Sequence, residues 1–452
     1  MSSVPAPLRW GFLGCGRISA DFVSAAKSLD NVVFQACAAR SLSSAEAFAK
    51  EHEIINAYDS YDTLVSDAQV DVVYIGTLHP WHYEHTMLAL THGKHVLVEK
   101  PMAMNVTQAS AAITLAREKK LFLMEGMWTR FFPAIRHVRQ LLADKEIGDV
   151  HHVHAAFGVH FDADNTRMWH NELGGGGLLD IGIYPLAFAV MVFGAKPEKI
   201  TSAGKLNDGG VDVYNSVTLE YTNSRFATIE YTMLATLDET VTITGSKGCI
   251  HLPASAHTAT EVQVVKFQDD GSQTKTKSCF PWPTPVRGAN FNYSGSEGFR
   301  YEAEAVVKAI QSKQHEIKEY SLDESLQIMT IMDKIRKDMG LVYLADKNAQ
   351  HFCVQHSSEF PNANGRVEVK NKICLSILAP SRGVAASVGC SAQSTGEIGM
   401  REILKEIHAV SQLPSVRLVD SLENAQPSSP AKDEKEAVNA TAEDVEQTSE
   451  EA

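Results

Sequence analysis

His95-Val96-Leu97-Val98-Glu99-Lys100-Pro101 is a short apolar run that ends on a carboxylate, an amine and a proline. Valine-rich runs of this length suit a β-strand covered on both faces, as in a parallel sheet flanked by helices. Pro101 has no N–H for the next rung of a ladder, so the strand is expected to stop at the lysine. Glu99 and Lys100 then stand at the carboxyl end of a parallel strand, where open α/β sheets bind their ligands.

Comparable runs flank this one. Trp10-Gly11-Phe12-Leu13, Val32-Val33-Phe34-Gln35-Ala36, Asp71-Val72-Val73-Tyr74-Ile75 and Leu121-Phe122-Leu123-Met124 read as strands. Between them lie amphipathic stretches at 43–52, 81–92 and 105–119, with Ser43 and Asn105 suited to N-caps and Gly93 to a C-terminal stop. Strands that alternate with helices make βαβ units, so residues 1–125 are expected to form a doubly wound parallel sheet of the α/β class. After about Gly148 strand-like runs follow at hairpin spacing (150–159, 199–204, 213–221, 226–232, 241–244 and 249–252), with one apolar helix at 178–193 and closing helices at 299–310 and 321–339. Residues 126–345 therefore read as an α+β domain with a large, mostly antiparallel, open-faced sheet. Residues 346–452 read as an irregular extension that ends in an acidic, disordered tail, with nine acids against two lysines between Ser421 and Ala452.

The formal charge of −14 over 452 residues argues against nucleic acid as the partner, since binding phosphates needs a basic surface. Seven cysteines without a C-x-x-C pair suit a reducing compartment, and the first nine residues lack a signal-peptide core. No apolar run is judged long enough for a membrane helix, so a cytoplasmic protein is expected.

Gly11-Phe12-Leu13-Gly14-Cys15-Gly16-Arg17-Ile18-Ser19 leaves the first strand and enters the first helix. Gly14 permits a tight turn, and Gly16 lets the backbone approach a pyrophosphate at the helix N-terminus. Ser19 stands where the usual third glycine would be, so the motif draws its weight from the strand before it and the helix after it. The second strand ends Ala38-Ala39-Arg40-Ser41, without the acid that receives the ribose hydroxyls of NAD. Arg40, with Ser41 alongside, can instead pair with a 2′-phosphate, which favours NADP. The alternative for Arg40 is a solvent-facing side chain at a helix start.

Gly174-Gly175-Gly176-Gly177 leads into Leu178-Leu179-Asp180-Ile181-Gly182-Ile183-Tyr184-Pro185. Asp180 and Tyr184 are four apart and share a helix face. Taken alone, they read equally well as a helix-start carboxylate and a buried tyrosine with a bonded tip.

Taken together, Glu99-Lys100-Pro101 and Gly-Gly-Gly-Gly-x-x-Asp-x-Gly-x-Tyr resemble the Gfo/Idh/MocA oxidoreductase family over roughly Leu8 to Leu344. His79-Pro80-Trp81-His82, Glu99-Lys100-Pro101-Met102 and Glu125-Gly126-Met127-Trp128-Thr129-Arg130-Phe131-Phe132-Pro133 place it near the members that oxidise D-xylose or cyclic trans-dihydrodiols with NADP. Many relatives carry histidine where this chain has Tyr184. The resemblance implies a Rossmann domain, a second sheet domain and a substrate cleft between them. It implies catalysis by Lys100 and Tyr184, which exchange the substrate hydroxyl proton, with Asp180 orienting the sugar or the lysine. It implies cofactor contacts from Gly14, Gly16, Arg17, Ile18, Arg40, Ser41, Thr77, His82, Glu99 and Lys100, with Glu99 positioning the lysine. Trp128, Phe161 and Trp282 are candidate substrate walls, and Arg130 a contact to substrate or cofactor. A homodimer packed through the back of the second sheet is also implied.

His79, His82 and His85, and the group His151, His152 and His154, lack the spacing of a zinc site. Strand alternation is expected to set His152 apart from the other two, and no metal is expected. A Walker lysine and a G-x-S-x-G elbow are missing, which disfavours ATPase and hydrolase chemistry. The alternative function is a non-catalytic, NADP-binding sugar sensor of the same fold. Such sensors lose the lysine or the tyrosine, and this chain keeps both.

Overall fold

The computed structural model describes residues 6–347, 352–355, 372–377 and 386–390, in two compact units, residues 1–349 and 350–452. In the first unit, strands β1 (Leu8–Leu13), β2 (Val32–Ala38), β3 (Asn56–Tyr58), β4 (Val72–Ile75), β5 (His95–Glu99) and β6 (Leu123–Gly126) alternate with helices α1 (Arg17–Ala26), α2 (Leu42–His52), α3 (Tyr61–Ser66), α4 (His82–Thr91) and α5 (Val106–Lys119). The strands pair in parallel in the order β3-β2-β1-β4-β5-β6, a Rossmann sheet. Helices cover both faces, so β4 is buried at every residue and β5 at all but His95. β5 stops at Glu99, one residue before the expected end, because Lys100 turns away at Pro101.

The capping chemistry departs from expectation at one place. Ser41, not Ser43, caps α2, with its Oγ accepting from Ser44 N–H at 3.3 Å. Asn105 caps α5 as expected, accepting from Gln108 N–H at 3.0 Å.

After α6 (Pro133–Ala143), β7 (Val150–Gly158), the short α7 (Thr166–Trp169), α8 (Ile183–Phe193) and the strands β8 (Lys199–Leu206), β9 (Asp212–Tyr221), β10 (Arg225–Thr232), β11 (Val241–Gly245), β12 (Gly248–Leu252), β13 (Glu261–Phe267) and β14 (Gln273–Cys279) follow. The strands form one sheet, β14-β13-β12-β11-β7-β10-β9-β8, antiparallel except for β7 beside β10. The pair β13–β14 goes beyond what the sequence suggests. β14 is Gln-Thr-Lys-Thr-Lys-Ser-Cys, an edge strand whose lysines blunt the hydrophobic alternation that marks strands inside a sheet. α9 (Phe299–Gln311) and α10 (Leu322–Met339) complete the layer.

α8 is apolar on every side, and it is buried along Ile183–Val190 between the sheet and α10. Against expectation, the stretch Asn171–Phe193 is long and apolar enough to cross a membrane (mean hydropathy 1.8), yet 83% of that window is buried in this fold. The opposite face of the sheet carries Tyr214, Phe226, His152 and His154, and no helix among the described residues of the first unit covers them. Here the histidine expectation is corrected. Residues i and i+2 of a strand share a face, and His152 and His154 both lie 3.1 Å from Thr228 Oγ1.

In the second unit three short strands, Phe352–Gln355, Lys372–Ile377 and Ala386–Cys390, pair antiparallel within the segment read as irregular. The acidic run 421–452 lies outside the described residues.

Candidate active site

The carboxyl end of β5 and the turn before α8 meet. Lys100 Nζ donates to Asp180 O at 2.7 Å and lies 3.4 Å from Asp180 Oδ1. It also stands 5.2 Å from the ring centroid of Tyr184. Asp180 projects from a π turn, Leu178–Gly182, that runs straight into α8, whose first turn carries Tyr184. Lys100, Asp180 and Tyr184 are thus brought together.

Asp180 has further partners that sequence reasoning missed. Arg167 NH1 donates to Oδ1 at 3.1 Å, and His79 Nε2 lies 3.6 Å away. The Lys100 and Arg167 cations outweigh the cost of burial and hold the carboxyl far below the usual range, so it is a fixed carboxylate. Arg167 comes from α7, a four-residue helix without sequence periodicity to flag it. His79 stands out in the sequence as a candidate metal ligand and within the motif His79-Pro80-Trp81-His82, without a role of its own. Its Nδ1 faces Gly174 O at 3.0 Å, and burial pushes it well toward the neutral form.

The glycine run is needed because its space is occupied. A Cβ on Gly176 (φ +112°) would stand 2.2 Å from Asp212 Oδ1 and 3.0 Å from Tyr343 Oη, and one on Gly175 would stand 2.5 Å from Met168 O. Asp212 Oδ2 accepts from Leu178 N–H at 2.7 Å, and Tyr343 Oη donates to Gly175 O at 2.6 Å. These buried groups fix the start of the turn that carries Asp180.

Tyr184 is buried, and the Trp128 indole N–H donates to its oxygen at 2.9 Å. Burial, and next the negative charge of Glu99, push its phenol well above the ordinary value, so it is held protonated. Glu99 accepts from Tyr74 Oη at 2.6 Å, and its own burial pushes it up to about 7. Glu125, another buried acid missed in the sequence, accepts from Met102 N–H at 2.7 Å and Tyr320 Oη at 2.9 Å, pinning the turn after Lys100.

The nucleotide residues lie at the carboxyl ends of β1, β2 and β4. Gly14 (φ +92°) turns the chain, and Ser19 Oγ donates to Gly14 O at 2.6 Å from the third-glycine position. A Cβ on Gly16 would meet nothing within 4 Å, so no protein atom requires glycine there. Gly16 precedes α1 without a side-chain cap or an acid in the first turn. This open, uncapped helix start beside exposed Arg17 and half-buried Ile18 fits a pyrophosphate. Arg40 is exposed and makes no hydrogen bond or ion pair with the described residues, while Ser41 already caps α2. Thr77 Oγ1 lies 3.0 Å from His85 Nδ1. His82 faces Pro101 O at 2.7 Å and Thr77 O at 2.9 Å. Burial pushes it toward the neutral ring, which can donate to only one of them. The imidazole sits between the turn after Lys100 and the segment that follows β4, bonded to one and packed against the other.

The substrate assignments fare unevenly. Arg130 does not reach the cleft. Its side chain is 2% exposed, donates to Ala187 O at 2.7 Å and pairs with Glu324 at 2.5 Å. Trp128 lies behind Tyr184 with its ring stacked on Phe299 at 4.2 Å, so that face is taken. Phe161 and Trp282 are half-buried, and Trp282 Nε1–H donates to Thr258 O at 2.9 Å. Among the described residues no cluster of three potential metal ligands occurs.

Comparison with known proteins agrees with this geometry. Residues 8–127 match the oxidoreductase family with an NAD-binding Rossmann fold, and residues 135–251 match the GFO/IDH/MocA C-terminal domain. A trans-1,2-dihydrobenzene-1,2-diol dehydrogenase of Xenopus laevis is 41% identical over 338 residues, covering 74% of this chain and 99% of the relative. The human enzyme of that name is 38% identical over 343 residues, covering 75% and 99%. Among solved structures, a 3-ketoreductase from Actinomadura kijaniata in complex with NADP and TDP-benzene superposes with a TM-score of 0.63 at 25% identity, over 73% of this chain and 97% of that one. A levoglucosan dehydrogenase in complex with NADH and L-sorbose shares the fold, with a TM-score of 0.66 at 19% identity over 75% and 100%.

Proposed function

The chain belongs to the Gfo/Idh/MocA oxidoreductase family, and from that premise we propose that it is an NADP-dependent dehydrogenase of sugars or cyclic diols. The observation that carries this reading is the meeting of Lys100 Nζ with Asp180, 2.7 Å from its carbonyl oxygen, beside Tyr184 at the mouth of a Rossmann sheet. D-xylose, oxidised at C1 to the lactone, and trans-1,2-dihydrobenzene-1,2-diol are the two lead substrates; the second is the compound in the relatives' name.

A bound nicotinamide supplies the acceptor for the substrate's hydride. The chain's own residues hold and move the proton. Lys100 and Tyr184 receive the substrate hydroxyl between them and exchange its proton as the carbon is oxidised. Asp180 stays ionised throughout and fixes Lys100 in place. Glu99, Glu125 and His82 hold the strand end from behind. Gly14, Gly16, Arg17, Ile18 and Thr77 form the phosphate cradle, and Arg40, free of protein partners among the described residues, takes the 2′-phosphate.

We also infer a cytosolic homodimer, packed through the outer face of the eight-stranded sheet, where Tyr214 and Phe226 are each 41% exposed. The test of the activity is a steady-state panel of D-xylose, D-glucose and the trans-dihydrodiol with NADP and with NAD, read by absorbance of the reduced nicotinamide. Turnover with at least one substrate and preference for NADP are expected. Tight NADP binding with no turnover on the panel would replace this reading with that of a sugar sensor.

A further inference from the structure

One titratable pair stands against Tyr184 and has no part in the proton exchange. His257 lies in the single 3-10 turn Ala256–Thr258 after β12, and Glu239 in the loop between β10 and β11. The Glu239 carboxylate accepts from His257 Nδ1–H. Glu239 is fixed at both ends, since its carbonyl also accepts from Ala256 N–H at 2.9 Å. It keeps a left-handed backbone (φ +53°), a conformation that favours glycine, and non-glycine residues held there cluster at ligand sites.

The imidazole stacks on Phe157 with centroids 4.9 Å apart, and stands 5.3 Å from Tyr184 and 5.8 Å from Trp128. Thr129 Oγ1–H donates to His257 O at 2.8 Å, and the segment that carries Trp282 is bonded to Thr258 O. The ring is therefore held from four sides, but its Nε2 makes no hydrogen bond with any described residue, and the side chain is 17% exposed.

Phe157, Trp128 and Tyr184 surround the imidazole with apolar rings. Within that aromatic wall, a histidine whose Nδ1–H is committed to a carboxylate offers Nε2 as a directional acceptor. A hydroxyl on a ring carbon away from the reacting centre can satisfy it. A substrate without such a hydroxyl leaves the nitrogen stripped of water and unpaired, and sites of this kind reject the analogue that lacks the group. An aldose carries hydroxyls around its ring, whereas a dihydrodiol carries only its two adjacent ones.

We propose that the His257–Glu239 pair is a hydroxyl-recognising subsite that makes polyhydroxylated sugars, rather than diols on an apolar ring, the preferred substrates. The proposal rests on the dehydrogenase reading above and narrows its substrate class. The test compares kcat/KM for D-xylose with kcat/KM for trans-1,2-dihydrobenzene-1,2-diol in the wild type and in His257→Phe, His257→Gln and Glu239→Gln. The xylose-to-diol ratio is expected to fall at least tenfold in His257→Phe, chiefly through KM for xylose. His257→Gln, which keeps a polar tip, is expected to recover part of the ratio, and Glu239→Gln to lower it by a smaller factor. Equal losses on both substrates, or an unchanged ratio, would reduce the pair to a packing element and overturn the proposal. Quenching of tryptophan fluorescence by D-xylose on the NADPH-saturated protein, which holds no hydride acceptor, reads the same subsite without turnover. If the wild type oxidises neither substrate, the dehydrogenase reading fails. The subsite is then decided by this titration alone: weaker xylose binding in His257→Phe supports it, and unchanged binding ends it.

Discussion

Lys100 has to be held in place and yet remain able to exchange a proton. The structure separates these tasks: the backbone oxygen of Asp180 holds the amine at 2.7 Å, and the Asp180 carboxylate, pinned by Arg167 and His79, stays ionised behind it. Lys100→Met removes the proton carrier while leaving the nucleotide turn intact, so turnover is expected to fall by about 10²–10⁴-fold. NADP affinity measured by fluorescence titration should survive; a variant that still turns over would take the lysine out of the mechanism. Arg40 is the reverse case, a residue without protein partners among those described. Arg40→Asp should cost about 1.5–3 kcal/mol of NADP binding, the range of a charge-assisted hydrogen bond, and reverse the NADP-to-NAD ratio of kcat/KM. Glu99 gives a pH signature. Burial raises its carboxyl to about 7, so the folded protein keeps a proton that the unfolded chain loses near 4.5. Stability from this group is complete below the unfolded value and declines as pH rises through about 7, by at most about 3 kcal/mol. Urea unfolding at pH 5 and pH 8 should show a smaller drop for Glu99→Gln than for the wild type.

Two glycines in two turns show how an element's geometry divides into what the fold requires and what a ligand requires. Gly176 is confined by Asp212 and Tyr343 at φ +112°, so Gly176→Ala must push a buried carboxylate and strain the backbone together. A loss of about 2–4 kcal/mol in chemical denaturation is expected, with Asp180 and Tyr184 displaced and kcat lowered. At Gly16 an added methyl would meet no atom within 4 Å, and the φ of −99° is one that any residue adopts. Gly16→Ala should leave stability within about 0.5 kcal/mol while raising KM for NADP, because the methyl would stand only in the path of the phosphates. Equal stability losses at both glycines would contradict the cradle. The same contrast explains what the sequence could tell. β5, its stop at Pro101 and the turn at Gly14 were legible because period, proline and glycine act locally. Asp180 and Tyr184 were legible as a pair four apart on one helix. Arg167, Glu125 and the His257–Glu239 pair were not, since they come from single turns, a strand end and a loop whose placement is decided by packing far along the chain. Arg130 was misread for the same reason, because a sequence does not show that Glu324, 194 residues later, will bury it.

At the scale of the whole molecule, two surfaces remain to be accounted for. The outer face of the eight-stranded sheet presents Tyr214 and Phe226 near His152 and His154, and light scattering after size exclusion is expected to show a homodimer that a charged substitution at Phe226 weakens. The other is the end of the first unit, which acts as a strap for the active site. Arg336, 3% exposed, pairs with Asp346 at 2.8 Å and Asp333 at 2.5 Å. Asp346 also accepts from Asn105 Nδ2 at 3.0 Å and Tyr343 N–H at 2.8 Å. The same Tyr343 reaches the glycine run through its hydroxyl, so residues 336–346 connect the cap of α5 to the backbone that presents Asp180. Losing Asp346 leaves the buried arginine with Asp333 alone, which costs part of the about 3–5 kcal/mol that removing a buried charge's whole partner would. The position of a truncation therefore decides its effect. A chain ending at residue 349 keeps every one of these bonds and is expected to retain kcat within about twofold, since Lys100, Asp180 and Tyr184 all lie before it. A chain ending at residue 340 lacks Tyr343 and Asp346, and is expected to lose its cooperative thermal transition or, if it folds, to show a kcat at least about tenfold lower at unchanged NADP affinity. Full activity in the shorter chain would show that the glycine run holds its shape without the strap.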